Sequence, residues 1–284
     1  MPKGATVHKG HKPKLGQHFL ANPAAAHRIV DALGDISHAT VLEIGPGRGA
    51  LTALLAPKAR RIITVELDRV LAAQLRMMFA VRPNVEVIEG DILKIELDTV
   101  FGPKPGSVRP GLTFVPEPAL VVGNLPYYIT SDIVLRLLEY HSYFSTIVIM
   151  VQKEVADRLA ASPGSRDYGL LSATAQLYAR VEKLFTLPPG AFAPPPKVHS
   201  SVVRMTIAPR AAELHVPENE FVAFLKLSFG QKRKTLWNNL RTRYDEAVLR
   251  AALAKSAVKP TVRAEALALA KSAALFRALH EGTE

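Results

Sequence analysis

Four short apolar segments in the first 125 residues each end at a glycine or a polar side chain. This pattern constrains the fold more than any other feature of the chain. The segments are V-L-E-I at 41–44, I-I-T-V-E at 62–66, V-E-V-I at 85–88 and L-V-V-G at 120–123. Stretches with helical spacing separate them: A-L-T-A-L-L-A at 50–56, stopped near Pro57, and a run through Leu71, Leu75 and Met78. A helix around 133–140 then leads to a fifth strand, T-I-V-I-M-V at 146–151. Near-continuous β-branched strands alternating with amphipathic helices predict a parallel sheet covered on both faces. In such sheets ligands sit beyond the carboxyl ends of the strands. Gly45, Glu66, Asp91 and Asn124 fall at four successive ends, which predicts one shared ligand site.

The chain changes texture twice after that. Residues 97–118 carry prolines at 103, 105, 110, 116 and 118, too many for a helix or a central strand. A helix (L-L-S-A-T-A-Q-L-Y-A), a strand near 181–187, the run P-P-G-A-F-A-P-P-P-K-V and a strand S-V-V-R-M-T-I complete an α/β unit that ends at Ala208-Pro209. From Phe221 onward alanine, leucine and basic residues dominate, which predicts a small helical domain. The expected organisation is a basic tail over 1–14, an α/β domain over 15–207 and a helical domain over 208–284.

Charge follows that division. The net charge is +11, with four lysines and no acid in residues 1–14 and 13 basic against 8 acidic groups in residues 207–284. The middle of the chain is nearly neutral. Two basic ends suit a polyanion, whose condensed counterions are released on binding. Lys232, Arg233, Lys234, Arg241 and Arg243 form the densest group, with no acid between Phe221 and Tyr244. Several classes are excluded. No apolar run approaches the ~20 residues of a membrane span, and the basic N-terminus has no apolar core of a secretory signal. The absence of cysteine rules out disulfides, thiolate metal sites and cysteine nucleophiles, and suits a reducing cytoplasm. Nine histidines without ligand-like spacing predict no metal site.

The loop E-I-G-P-G-R-G-A places Gly45, Gly47 and Gly49 at alternate positions before a helix. Glycines there allow a tight turn and close approach of a ligand to the backbone. Gly45, Gly47 and Ala50 also satisfy the dinucleotide pattern, and a Glu66 carboxylate would hold ribose hydroxyls in either case. Asp91, in G-D-I, is placed to accept from an adenine amino group. No second nucleotide-binding half follows and no hydride-transfer acid is evident, so a methylsulfonium cofactor fits better than NAD.

Asn124-Leu125-Pro126-Tyr127-Tyr128 follows the fourth strand. An exocyclic amine conjugated to a purine is a poor nucleophile. The Asn124 carbonyl oxygen and a nearby backbone carbonyl can accept both of its hydrogens, drawing the nitrogen towards sp³. Pro126 stiffens the turn that holds these acceptors. Tyr127 offers a flat face to a flipped-out base. Phe192, held among prolines, is a second candidate for that base, with core burial as its alternative.

These segments together resemble the rRNA adenine N6,N6-dimethyltransferases of the bacterial KsgA type and their eukaryotic Dim relatives. The likeness rests on K-L-G-Q-H-F-L at 14–20, E-I-G-P-G-R-G at 43–49, V-E-L-D at 65–68, G-D-I at 90–92 and G-N-L-P-Y-Y-I at 123–129. It continues through V-Q-K-E-V-A-D-R-L at 151–159, Y-G-L-L-S at 168–172, F-A-P-P-P-K-V at 192–198 with S-S-V-V-R following, and F-G-Q-K-R-K-T-L at 229–236. The resemblance implies a Rossmann-like class I methyltransferase with a mostly parallel seven-stranded sheet and a small helical C-terminal domain. It implies S-adenosylmethionine as cofactor, with His18 and Leu20 closing over its methionine end and Gly45 and Gly47 lining it. Glu66 with Leu67 would hold its ribose, Asp91 with Ile92 its adenine. Asn124 would touch cofactor and target, with Leu125 and Pro126 completing the catalytic turn and Tyr127 and Phe192 gripping the base. The implied partner is small-subunit rRNA in a 30S-like assembly particle, modified at two adjacent adenines of its 3′-terminal hairpin by a cytoplasmic monomer. His18 stands where bacterial members often have Asn, and the 97–118 loop is longer than usual. An Erm-type enzyme acting on large-subunit rRNA, a non-catalytic assembly factor and an NAD oxidoreductase are the competing readings.

Overall fold

The computed structural model describes residues 17–102 and 118–281. The basic tail expected over 1–14 and most of the proline-rich segment lie outside the described residues.

The chain opens on a two-residue strand, β1 (Phe19–Leu20), and helix α1 (Pro23–Asp31). Asn22 caps α1 by accepting from the Ala25 N–H at 3.0 Å, and Pro23 occupies the first helical position, where its missing N–H is no loss. There follow β2 (Thr40–Ile44), α2 (Thr52–Leu55), β3 (Arg61–Glu66), α3 (Arg69–Met78), β4 (Val85–Glu89), α4 (Leu97–Phe101) and β5 (Ala119–Asn124). Asp68 starts α3 by accepting from the N–H groups of Val70 and Leu71. A 3₁₀ turn at Tyr127–Ile129 leads into α5 (Thr130–Glu139), then β6 (Phe144–Gln152), α6 (Lys153–Leu159), α7 (Leu170–Tyr178), β7 (Ala179–Leu187), β8 (Phe192–Ala193) and β9 (Ser200–Ile207). Four helices close the chain: α8 (Glu218–Ser228), α9 (Leu236–Leu240), α10 (Glu246–Lys255) and α11 (Leu269–His280).

One sheet of seven strands runs in the order β4-β3-β2-β5-β6-β9-β7. The five strands from β4 to β6 are parallel, and β9 enters antiparallel to both of its neighbours. The fold is therefore the mostly parallel α/β sheet expected. Strand order reverses direction at β2, which pairs with β3 on one side and β5 on the other. A crevice opens at such a switch point, beyond the carboxyl ends. The ends of β2, β3, β4 and β5 are the four positions singled out in the sequence.

Three helices go beyond the sequence expectation. The residues assigned to a loop begin instead with α4, because the prolines start only at 103; Leu97 is buried and Asp98 accepts from the Tyr143 hydroxyl at 2.8 Å. Helices α1 and α6 are short, and their apolar faces find partners only in the folded chain. The C-terminal segment is helical as expected, and one apolar cluster runs from the sheet through Tyr168 and Leu171 to Phe221, Phe224, Leu253 and Phe276. The C-terminal helices thus share a core with the sheet. No helix of the described residues is long and apolar enough to cross a membrane.

Candidate active site

A cavity of about 300 Å³ lies at the switch point. The expected site residues His18, Leu20, Gly45, Gly47, Glu66, Leu67, Asp91, Ile92, Asn124, Leu125, Pro126 and Tyr127 all line it.

Next to the cavity, two glycines stand where neighbouring atoms leave no room for a side chain. A Cβ on Gly123 would lie 2.5 Å from the Ile44 carbonyl oxygen, so β2 and β5 can approach here only with glycine. Gly47 has φ +57° and would place a Cβ 2.9 Å from the Phe19 ring, so the loop after β2 is closed to other residues at this point. Arg48 also lies against that ring, 4.6 Å from its centroid.

Glu66 braces the loop. One carboxylate oxygen accepts from the Gly47 N–H at 3.0 Å and the other from the Asp68 N–H at 2.9 Å. Each oxygen keeps a lone pair for a ligand hydroxyl. Burial pushes its pKa up, partly offset by those two hydrogen bonds. Asp91 accepts from the Leu93 N–H at 3.0 Å, which fixes the carboxylate at the rim.

Glu43 has no role that its place in the sequence assigns. It is 1% exposed, at the inner wall of the cavity, and accepts from the Thr52 hydroxyl at 2.6 Å. Desolvation raises its pKa to about 7, against the lowering effect of the Thr52 bonds, and the nearby Glu66 charge adds to the rise. Nothing in the letters E-I-G distinguishes an internal carboxylate from an edge one. Only the burial of both sheet faces does so.

The N-terminal strand forms a strap over the opening. β1 pairs with β8, Leu20 opposite Phe192 and Phe19 opposite Ala193, and the Ala21 and Asn22 N–H groups donate to the Ala191 carbonyl. His18 hydrogen-bonds through Nδ1 to the Pro194 carbonyl at 2.8 Å, and its ring stacks on Tyr127 with centroids 5.5 Å apart. The strap also orients Asn124, whose side-chain NH₂ donates to the His18 carbonyl at 2.8 Å. With the nitrogen committed there, Asn124 Oδ1 is left as an acceptor.

Tyr127 is turned inward. Its hydroxyl shares a 2.7 Å hydrogen bond with Ser200 Oγ, and burial raises its pKa. The Pro126 carbonyl is occupied, accepting from Thr130 Oγ1 at 2.8 Å. Ser200, the partner that holds the Tyr127 ring, belongs to the S-S-V-V-R segment of the resemblance, where nothing local assigns it to Tyr127.

One expectation is corrected by the geometry. Phe192 does not line the cavity: it is 3% exposed and packs in the core cluster that includes Ile29, Met150 and Leu187. Pairing of β8 with β1 turns its ring to the interior, so the core alternative prevails in this arrangement. The basic residues Lys232, Arg233 and Lys234 lie on the exposed turn between α8 and α9, and Arg241 and Arg243 on the turn after α9. They are outside the cavity, and Lys232 Nζ reaches the Arg166 carbonyl at 3.4 Å.

The carboxylates of Glu66 and Asp91, the apolar side chains of Leu67 and Ile92 and the guanidinium of Arg48 therefore line one space. That lining suits a nucleoside bearing a cationic group better than one bearing a pyrophosphate.

A sequence model of the family described as ribosomal RNA adenine dimethylase matches residues 8–281. The chain belongs to that family. The ribosomal RNA small subunit methyltransferase A of Koribacter versatilis is 57% identical to it over 286 residues, covering 99% of this chain and 100% of the relative. Among solved structures, a dimethyladenosine transferase from Plasmodium falciparum superimposes with a TM-score of 0.72 at 26% identity, covering 93% of this chain and 98% of that one. The 23S rRNA methyltransferase ErmE superimposes with a TM-score of 0.65, also at 26% identity, covering 92% and 99%. Membership makes the chain an RNA adenine methyltransferase with the class I fold, and family and fold together imply S-adenosylmethionine as methyl donor.

Proposed function

We propose that this family member transfers methyl groups to N6 of two adjacent adenines in the 3′-terminal hairpin of small-subunit rRNA, in the cytoplasm, as a monomer acting on a 30S-like assembly particle. The observation that carries the chemistry is the Asn124–His18 hydrogen bond, which commits the amide nitrogen and leaves Oδ1 for the substrate.

When bound, S-adenosylmethionine supplies an electrophilic methyl on a positively charged sulfur. Gly45 and Gly47 would let it approach the backbone, Glu66 would accept from its ribose and Asp91 from its adenine amine, with Leu67 and Ile92 on the ring faces. His18 and Leu20 close the strap over the remaining end. The target amine donates to Asn124 Oδ1. Its second hydrogen falls to the Leu125 carbonyl, because that of Pro126 is already engaged. Holding both hydrogens localises the nitrogen lone pair and aims it across the cavity. The Tyr127 ring, anchored by Ser200, supports the extruded base. The amine becomes acidic as it alkylates, so no general base is required. The exposed cations on the turns flanking α9 take rRNA phosphates.

The large-subunit alternative has the same fold in ErmE. The 57% identity to a small-subunit enzyme, against 26% to ErmE, favours the small subunit. Incubation with methyl-labelled cofactor and purified 30S or 50S particles from unmethylated cells separates them. Dimethyladenosine in the 3′-terminal fragment of small-subunit rRNA, identified by mass spectrometry, is expected; label confined to 50S would refute the assignment.

A further inference from the structure

Tyr128 is the one exposed tyrosine, phenylalanine or tryptophan among the described residues. It is 61% exposed, whereas Tyr127, Tyr143, Tyr168 and Tyr178 are turned inward. Exposure of a large ring has no packing benefit for the folded chain, and this one stands at the rim of the cavity. The cause is local geometry. Tyr127–Ile129 forms a 3₁₀ turn, in which successive side chains point roughly a third of a turn apart. With Tyr127 fastened inward to Ser200, Tyr128 must face out beside the same opening. Among the described residues no hydrogen bond holds its hydroxyl, so the ring face is what the residue presents.

We infer that Tyr128 is a stacking platform for the nucleobase adjoining the adenine in the cavity. The inference rests on the proposed reading, in which one adenine is extruded into the site. Extrusion breaks the stack between that base and its neighbour, leaving an unstacked neighbour at the mouth. An exposed aromatic face one residue from the base-supporting Tyr127 is placed to take it, and stacking on a side chain needs no hydrogen-bond readout. Because the neighbour is itself a target in the proposed substrate, Tyr128 would hold the second adenine while the first reacts. The contact lies outside the reacting atoms and is made in ground and transition states alike. Its loss should raise KM and leave kcat nearly unchanged.

The test is steady-state methyl transfer by the full chain to unmethylated small ribosomal subunits, with Tyr128→Leu, Tyr128→Phe and Tyr128→Trp beside the wild type. One base stack corresponds to roughly a 5- to 150-fold change in affinity. Tyr128→Leu should therefore raise KM for the particle about fivefold or more, with both aromatic variants close to wild type. Affinity for S-adenosylmethionine by calorimetry and the melting temperature should be unchanged in all three. A KM for Tyr128→Leu equal to wild type overturns the inference, as does recovery by leucine as full as by tryptophan. A matching loss of cofactor affinity would assign Tyr128 to the cofactor site, and a fall in melting temperature would make its role structural; either outcome also overturns it. Absence of transfer by the wild-type chain would instead refute the functional reading itself.

Discussion

Glu43→Gln tests how the inner wall of the cavity is built. The wild-type carboxyl is 1% exposed, accepts from Thr52 at 2.6 Å, and titrates near 7 because burial penalises its charged form. In the unfolded chain an ordinary glutamate loses its proton at about 4.3. Between these values the native state holds a proton that the unfolded state does not. Stability contributed by this group is complete below the unfolded pKa and is lost as pH rises through about 7. At ~1.4 kcal/mol per pH unit the whole interval is worth roughly 4 kcal/mol, of which about 1 is already lost by pH 5. Glutamine keeps the shape and the acceptor for Thr52 but has no charge to desolvate. Urea unfolding should show the variant gaining on wild type by roughly 3 kcal/mol between about pH 5 and pH 8. Glu66 is present in both proteins, so its own titration largely cancels. A stability difference that is flat across this range would refute the reasoning, and so would a variant that is less stable than wild type at the alkaline end.

Asn124→Ala removes the acceptor that aims the amine while leaving the basic turns intact, so methyl transfer should fall about 10²- to 10³-fold with particle binding within a few-fold of wild type. Equal loss in a turnover assay and a filter-binding assay would mean that the residue's role is structural. Replacing Lys232, Arg233 and Lys234 together with alanine should reduce the slope of log affinity for RNA against log salt by roughly two to three, with cofactor affinity unchanged; an unaltered slope would remove these residues from the RNA interface. Gly123→Ala drives a methyl to 2.5 Å from the Ile44 carbonyl, and overpacking of this kind costs about 1–3 kcal/mol. Chemical denaturation should report that loss, together with weaker cofactor binding as β2 and β5 are pushed apart.

Much of the α/β core was legible because its signals are local. A parallel strand buried on both faces needs a continuous apolar run, and a strand end that meets a ligand shows a glycine or a carboxylate just where the run stops. Gly45, Glu66, Asp91 and Asn124 stand out in that way, and the cavity gathers all four. The basic composition around α9 was likewise readable, since charge density is a property of the letters. Its placement on turns was not, because helix boundaries in a short segment depend on what it packs against.

Other features arise from contacts between residues far apart in the chain. The Asn124 amide is oriented by the carbonyl of His18, 106 positions away, and Tyr127 is held by Ser200, 73 positions away. No periodicity encodes such pairs, since only strand order and the β1–β8 pairing bring them together. The same pairing takes Phe192 into the core, although its proline-rich setting reads equally well as a presented aromatic. Composition and spacing thus determined the run of parallel strands, the strand ends that meet the ligand and the class of ligand, while the strand order that makes the switch point came from the fold. Tertiary structure decided which polar groups are buried, and burial makes Glu43 titrate near 7. It also decided which side chains face the opening, because desolvation and orientation belong to the packed assembly of elements and to no segment alone.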